Sequence, residues 1–500
     1  MLYSLLLSIV GSQAEAQSIP ERILWNLEFG PQNPPIPALG HDGSIYLGLK
    51  TSVLAVSSSG VEQWRVRPEG ADYIGFPVIG ADGTVYVAAS GFHGDKRGYL
   101  YAFDPEGTEK WRYSILPEAV GSGINFIYSP AIGQDGTLLF SATGDSTLRA
   151  VGPDGQLRWQ YKAEALIGRV VVGADGTVYM STGDGYVNVL TAAGELQWRF
   201  STGVVPAASV GVEVGVQVTA VGPEGTLYVV ISGALLAMDR DGELLWRYDL
   251  PVRYGVAPVV DREGQVFCVF PLANADGLGM ILSLTRSGQE YWRSALGWVS
   301  QTRTPLLGAD DTLYLMGYEG GRIYLFALDA IGGREFWRVG LDSFGNMTMS
   351  DTGIIYLAGE ASLTAIQTDS PGLVNSSWPV VYGDAQNSQH VSGPATAVLE
   401  TEQGGLPVAC RLGPSYPNPF NAGTVIPFEL PAAGLAEVRV YGLLGQEVAL
   451  LAKGWFTAGR HQVRGEWGIL QPATDTGGQF NKPDGPGQVS RTERQKERFR

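Results

Sequence analysis

The side chains that could perform catalysis or hold a metal are few in this chain of 500 residues. The histidines are His41, His93, His390 and His461, and the cysteines are Cys268 and Cys410. Nucleophilic catalysis needs a Ser or Cys beside a base, and a zinc site needs Cys and His ligands at short spacings. Neither pattern occurs in the sequence. We therefore expect two unpaired thiols, no catalytic residues and no metal ligands from these side chains.

A recurring Asp-Gly dipeptide is the second candidate for chemistry, because carboxylates can bind calcium. It occurs at Asp42, Asp82, Asp135 and Asp175. A calcium-binding EF-hand loop, however, needs alternating oxygen ligands over about twelve residues and a final Glu, which these segments lack. Asp-Gly followed by alternating β-branched and aromatic residues is typical of a tight turn that starts a strand. The sequence thus predicts turns here.

These turns belong to a repeat that runs through most of the chain. The turn-and-strand marker appears eight times, from "HDGSIYLG" at position 41 to "SDTGIIYLA" at position 350. A tryptophan recurs in step every 39 to 48 residues, at Trp25, Trp64, Trp111, Trp159, Trp198, Trp246, Trp292 and Trp337. Four short strands fit within this period, which is typical of a blade in a radial β-sheet array. We predict an all-β fold.

The order of strands within one repeat follows from its composition. A first strand often carries proline, as in "FPVIG", and proline suits the innermost strand, whose edge lines a channel. The Asp-Gly strand comes second, and the tryptophan lies on the fourth. A small residue recurs on the third strand, at Ala55, Ala102, Ala150, Ala237 and Ala327. We expect each indole to be structural and to fill the wedge between neighbouring blades.

The set Ala102, Asp104, Gly107 and Trp111 resembles the tryptophan-docking motif of pyrroloquinoline-quinone (PQQ)-like β-propeller repeats. The resemblance covers roughly residues 20 to 380 and implies an eight-bladed propeller, which we place at residues 17–390. Two segments could supply the strand that closes the ring. One is "ERILWNLEF", from position 21, and the other is "SSWPVVY", from position 376.

The same resemblance raises the possibility of a PQQ-dependent dehydrogenase. Such enzymes use adjacent cysteines over the quinone and a Glu/Asn/Asp set around calcium. This chain has no Cys-Cys pair and no such ligand cluster. We therefore expect no cofactor and no enzymatic activity, and keep the dehydrogenase as the less favoured alternative.

The longer connections between strands are the natural recognition surface. They lie at residues 88–99, 121–128 and 205–218. Aromatic residues near the starts of first strands are candidates for the mouth of the channel: Tyr73, Phe76, Phe126, Tyr128 and Tyr254. Ordinary packing is the alternative explanation of these aromatics.

A second domain is predicted after a linker at residues 391–412. Residues 413–467 alternate apolar and polar positions like a small β-sandwich. The segments "YPNPFN", "FELP", "VYGLLGQEV" and "AGRHQV" resemble the immunoglobulin-like C-terminal sorting domain of type IX secretion substrates. That family usually continues with two more strands, whereas residues 468–500 are polar and Gly-rich and end in dense charge. We expect a truncated sandwich and a disordered tail.

Export is predicted from the N-terminus, where an apolar run from Leu2 to Val10 precedes Ala14-Glu15-Ala16. This resembles a signal peptide of residues 1–16, and the run is too short to cross a bilayer. The net charge of −16 disfavours nucleic acid as a partner.

The prediction is a bacterial protein that is secreted or at the cell surface, with a periplasmic location as the alternative, and a monomer with an unknown protein or glycan partner. It would act as a non-enzymatic binding or scaffolding module targeted by the sorting-like domain. A scaffold in outer-membrane protein assembly is the alternative.

Overall fold

The structure is a computed structural model, and its chain divides into two compact units, Met1–Ala395 and Thr396–Arg500. The residues it describes are 22–91, 97–115, 129–142, 146–203, 216–250, 258–271, 278–298, 305–374, 383–384, 386–388, 411–412, 416–421, 423–430, 434–441, 447–456 and 459–466. The structure describes only the backbone at residues 216–219, 223, 271, 278 and 295–298 and in the second unit.

The first unit is a ring of eight four-stranded antiparallel sheets, the eight-bladed propeller that the repeat predicted. The chain enters through β1 (Ile23–Glu28). Blade 1 contains β2 (Ala38–Leu39), β3 (Ile45–Gly48), β4 (Val53–Val56) and β5 (Glu62–Val66), and blade 2 contains β6 (Tyr73–Ile79), β7 (Val85–Ser90), β8 (Gly98–Phe103) and β9 (Glu109–Ile115). Blade 3 contains β10 (Ala131–Ile132), β11 (Leu138–Ser141), β12 (Thr147–Val151) and β13 (Leu157–Lys162), and blade 4 contains β14 (Ile167–Val172), β15 (Val178–Thr182), β16 (Tyr186–Leu190) and β17 (Leu196–Ser201).

The second half of the ring repeats the arrangement. Blade 5 contains β18 (Val216–Val221), β19 (Leu227–Ile231), β20 (Ala234–Met238) and β21 (Leu244–Asp249), with the short 3-10 turn Pro223–Gly225 between its first two strands. Blade 6 contains β22 (Val259–Val260), β23 (Val266–Pro271), β24 (Leu278–Leu284) and β25 (Glu290–Trp298), and blade 7 contains β26 (Leu306–Leu307), β27 (Thr312–Glu319), β28 (Arg322–Asp329) and β29 (Glu335–Leu341). Blade 8 contains β30 (Gly345–Met349), β31 (Ile354–Gly359) and β32 (Ser362–Gln367).

The fourth strand of blade 8 is β1, which pairs antiparallel with β32. Of the two segments considered for closure, the N-terminal one therefore closes the ring. Trp25 on β1 lies opposite Ala365 on β32, the same partnership that Trp111 and Ala102 make in blade 2. We call this junction between the first and last parts of the chain the seam.

The core lies between neighbouring blades. The second and third strands of a blade are buried on both faces, as in β7 and β8, whose residues are all buried. Fourth strands such as β9 alternate exposed and half-buried residues, because one face packs on the next blade and the other meets solvent. One cluster, for example, joins Tyr86 of blade 2 with Leu138 and Phe140 of blade 3.

The topology gives the ring two different faces. Turns between first and second strands, and between third and fourth strands, share one face, which we call the short-turn face. The second-to-third connections and the links between blades lie on the opposite face, the loop face. The three connections predicted as a binding rim join strand ends on the loop face, and most of their residues lie outside the described residues.

The described residues of the second unit form six strands. These are β33 (Arg411–Leu412), β34 (Tyr416–Asn421), β35 (Gly423–Leu430), β36 (Gly434–Tyr441), β37 (Glu447–Phe456) and β38 (Gly459–Glu466). Strand β35 pairs with β33, β34 and β38, while β36 and β37 form a separate hairpin. The predicted signal peptide, most of the linker and the predicted disordered tail lie outside the described residues.

Within the described ranges, none of the helical segments has the length and apolar character needed to cross a bilayer.

Candidate functional site

Seven of the eight recurring tryptophans connect their blade to the next through the indole nitrogen. In blade 2, for instance, Trp111 Nε1 donates a hydrogen bond of 2.8 Å to Pro153 O on blade 3. The same bond recurs in six other places, from Trp25 to Ser58, Trp64 to Pro105, Trp159 to Ala192, Trp198 to Arg240, Trp246 to Arg286 and Trp292 to Ala330. In every case the acceptor is a carbonyl in the turn between the third and fourth strands of the next blade.

A glycine lies beneath each of these seven rings. The glycines are Gly60, Gly107, Gly155, Gly194, Gly242, Gly288 and Gly333, and all have positive φ. A Cβ at any of them would lie between 2.5 and 3.0 Å from the nearest indole atom. Glycine is thus required twice over, for the backbone conformation and for the close approach of the ring.

Small residues behind the indole let it contact an aromatic ring two strands away. Trp111 pairs with Ala102 on the third strand, and Ala102 pairs with Tyr86 on the second. Because the alanine between them is small, the Tyr86 and Trp111 ring centroids are 5.9 Å apart. Six of the eight blades have alanine opposite the tryptophan, and Val189 and Ser283 take its place in blades 4 and 6.

The indoles are less buried than the wedge prediction assumed. All eight are half-buried, because they lie on the outer strands of their blades. The fully buried aromatic side chains belong instead to the second and third strands, such as Tyr86, Tyr101 and Phe103.

Trp337, at the seam, has a different partner. Blade 8 has no turn between its third and fourth strands, since β1 comes from the other end of the propeller. Arg22, the residue before β1, lies over the Trp337 ring with its guanidinium carbon 4.2 Å from the centroid. Arg22 also donates hydrogen bonds to Gln367 O at 3.3 Å and to Asp369 at 2.8 Å. No periodic signal in the sequence points to Arg22, because its position belongs to no repeat.

The Asp-Gly segments form side-chain-capped turns. Asp82 Oδ1 accepts a hydrogen bond from Thr84 N at 3.0 Å, and Asp42, Asp135 and Asp175 repeat this contact with Ser44, Thr137 and Thr177. Burial alone would raise the pKa of Asp82, but the Thr84 hydrogen bonds and the charge of Lys110 lower it below its usual value. Among the described residues, no group of three or more His, Cys, Asp or Glu side chains is arranged to hold a metal ion.

The candidate channel-mouth residues are only partly described. Tyr73 and Phe76 both lie on β6, the innermost strand of blade 2, and both are half-buried. The Phe76 backbone is tied to blade 3, since its N–H and C=O contact Ser129 Oγ at 3.2 and 3.1 Å. Phe126, Tyr128 and Tyr254 lie outside the described residues, so a shared site of all five stays a prediction.

The repeats are similar to those of a bacterial outer-membrane assembly factor. A family model described as outer membrane protein assembly factor BamB matches residues 96–214 and 183–284. The BamB of Burkholderia pseudomallei is 26% identical over 305 residues, which make up 59% of this chain and 71% of that protein.

Solved structures support the fold. The crystal structure of BamB from Moraxella catarrhalis has a TM-score of 0.52 at 15% identity, covering 69% of this chain and 99% of that one. The C-terminal WD40 domain of Sif2 has a TM-score of 0.51 at 10% identity, covering 69% and 98%. At these identities the likeness concerns architecture alone. The chain thus carries an eight-bladed β-propeller that is similar to the assembly factor BamB.

Proposed function

We propose that this chain is a non-enzymatic scaffold of the bacterial envelope that binds protein partners during outer-membrane protein assembly. The supporting observation is the similarity to BamB, which spans blades 2 to 6 in the family match and 71% of the Burkholderia protein. This role was the alternative in the sequence-based prediction. The similarity now favours it over a binding role at the cell surface.

The loop face is the surface we assign to partner binding. It carries the long connections between strands, whereas the short-turn face is built from compact turns closed by their own hydrogen bonds, such as Gly80 N to Thr84 O at 2.9 Å. Long connections held by a rigid ring are where propellers can vary shape and charge without disturbing the blades.

Site-specific photo-crosslinking in the source bacterium tests this assignment. A crosslinking residue would replace exposed Lys50, in a second-to-third connection, or exposed Glu319, at the loop-face end of β27. Matched controls replace exposed Asp154 or Asp241 on the short-turn face. We expect the loop-face positions to capture outer-membrane assembly proteins and the controls to capture none. Capture from the short-turn face alone would contradict the assignment.

Delivery to the cell surface is a second proposal, supported by the sorting-like segments between Tyr416 and Val463. Fractionation distinguishes the two, because an assembly scaffold stays periplasmic, whereas a sorted protein reaches the outer surface and is cut by added protease. N-terminal sequencing of the mature protein tests export, with a start near Gln17 expected.

The absence of enzymatic activity is also part of the proposal. The full chain would be incubated with PQQ and calcium and assayed for quinone absorbance and dye reduction. A robust signal would restore the dehydrogenase alternative.

A further inference from the structure

The chain that follows the last blade returns to the inner strands of the ring. After β32 it reaches blade 7, where Leu373 forms a β-bridge with Gly308. Val374 N donates to Leu307 O at 3.0 Å, and Ala309 N donates to Gly372 O at 2.9 Å. These contacts lie where β26, the first strand of blade 7, meets its short turn.

Farther along, the chain contacts the first strands of blades 1, 2 and 3. Ile79 N on β6 donates to Gln386 O at 3.1 Å, and Ile132 N on β10 donates to Ser388 O at 2.8 Å. The side-chain amide of Asn387 donates to Pro37 O at 3.1 Å, just before β2, and to Pro77 O at 3.3 Å on β6.

The conformation of this segment is held by its own hydrogen bonds. Asp384 Oδ1 accepts from Gln386 N at 3.0 Å and from Ser388 N at 2.9 Å, and Oδ2 accepts from the Ser388 hydroxyl. Asn387 has φ of 57°, a left-handed conformation that asparagine tolerates better than most residues. Asn387 and Ser388 are both buried.

The position of these contacts explains why they matter for the ring. First strands present an unpaired backbone edge toward the central channel, and unpaired edge groups are satisfied when another strand or segment lies beside them. The segment binds the edges of blade 7 on one side of the seam and of blades 1, 2 and 3 on the other. At the seam itself, β1 joins blade 8 on its outer side, and on β30 the side-chain amide of Asn346 donates to Pro34 O and Pro35 O at 3.0 and 3.1 Å.

We infer that residues 372–374, 383–384 and 386–388 form an inner latch that holds the propeller closed across its seam, opposite the outer closure made by β1. The inner latch places the chain's own backbone at the short-turn end of the channel. It also makes residues beyond the last blade part of the closed ring.

Native-state hydrogen exchange on the full chain tests the inner latch. The reporters are the amides of Ile79 and Ile132, whose acceptors belong to the latch. Their internal comparators are the next amides, of Gly80 and Gly133, which donate to Thr84 O and Thr137 O within their own blades at 2.9 and 2.8 Å. The variant Asn387→Ala removes both side-chain donors to Pro37 and Pro77.

We expect protection at Ile79 and Ile132 to fall by about tenfold in Asn387→Ala, with Gly80 and Gly133 unchanged. The matched control is Asn188→Ala, which removes a buried donor to Thr182 on blade 4 and leaves the latch contacts intact. This control should not alter the ratio of hydrogen-exchange protection between the reporter and comparator amides. Wild-type protection at Ile79 and Ile132 in the Asn387 variant, or an equal loss at all four amides, would overturn the inference.

The unmodified protein provides a second measurement if the variant does not fold. In low denaturant, the reporter amides should exchange through a smaller opening, with a weaker denaturant dependence than the comparators. Identical rates and identical denaturant dependence for all four amides would show that the inner latch does not open as a separate unit, and would also overturn the inference.

Discussion

The indole of Trp246 makes three contacts, and no smaller side chain could make all of them. Its nitrogen donates to Arg286 O at 2.9 Å, and its ring covers Gly288. It also lies 5.9 Å, centroid to centroid, from Tyr228. Since the indole is half-buried, truncation should cost less than it would in a closed core.

We expect Trp246→Ala to lower the free energy of unfolding by about 2–3 kcal/mol, from lost packing and the lost hydrogen bond. The control is the adjacent Leu245→Ala, whose side chain is 52% exposed. It should change stability by about 0.5 kcal/mol or less. Chemical denaturation of both variants makes the comparison, and equal effects would mean that the indole contacts add no stability.

Asp261 is a buried carboxylate with an unusual titration. Burial, aided by the charges of Glu263 and Asp311, raises its pKa to about 6, despite hydrogen bonds from Glu263 N and Gln265 N. The folded state therefore keeps the Asp261 proton over a range where the unfolded chain has released it. Its contribution to stability is present below about pH 4 and is lost as the pH rises to about 6.

The variant Asp261→Asn tests the direction of this pH dependence of stability, because its amide oxygen can still accept both backbone hydrogen bonds but its side chain does not titrate. Between pH 4 and 7, the stability of the wild type relative to this variant should fall by about 1–3 kcal/mol. Denaturation series at several pH values measure it. A difference that stays constant, or grows with pH, would contradict the raised pKa.

The turn that receives the indole is the element on which the blade-to-blade contact depends. Gly288 has φ of 77°, and a Cβ there would lie 2.5 Å from Trp246. Gly233, in a second-to-third connection of blade 5, has a similar φ of 82° but nothing within 4 Å of a built Cβ. Alanine substitutions at the two glycines therefore distinguish the cost of backbone strain from the cost of a collision with the indole ring.

Replacing Gly233 by alanine should cost about 1 kcal/mol, from backbone strain alone. Gly288→Ala should cost at least about 2 kcal/mol, because the indole must also move. Thermal denaturation compares the two variants. In addition, near-ultraviolet circular dichroism should change for Gly288→Ala alone, and the same spectrum for both would argue against displacement of the ring.

The elements that the sequence predicted well are those that repeat. Eight copies of the turn-and-strand marker, four of them with Asp-Gly, and a period in tryptophan were enough to predict four strands per blade and eight blades. Two features were missed for a common reason. Arg22 over Trp337 and Asn387 on the first strands each occur once, and both depend on contacts between distant parts of the chain. The sequence placed the tryptophan on the fourth strand, but the half-buried state of the indoles was missed because the period does not tell how far the neighbouring blade covers that strand.

The closed ring depends on its seam, where β1 and β32 meet and Arg22 takes the place of the missing turn. We expect Arg22→Met to cost about 1–2 kcal/mol, through loss of the cation–π contact and of the hydrogen bonds to Gln367 and Asp369. Arg65→Met is the control, since Arg65 pairs with Glu62 on an exposed strand and should contribute about 0.5 kcal/mol or less. Calorimetry measures the unfolding of both variants, and an equal loss of stability in the two would contradict a role for Arg22 in closing the ring.

The pairing of β1 with β32 also has a consequence for how the molecule is made. Trp25 finds its partner, Ala365, only after some 340 intervening residues have been synthesised. During translation, and during any passage across a membrane as an extended chain, the first strand therefore has no partner in its own blade. A helper that shields β1 over that interval would speed maturation more than one acting on any later strand, because every later blade is built from neighbours in sequence.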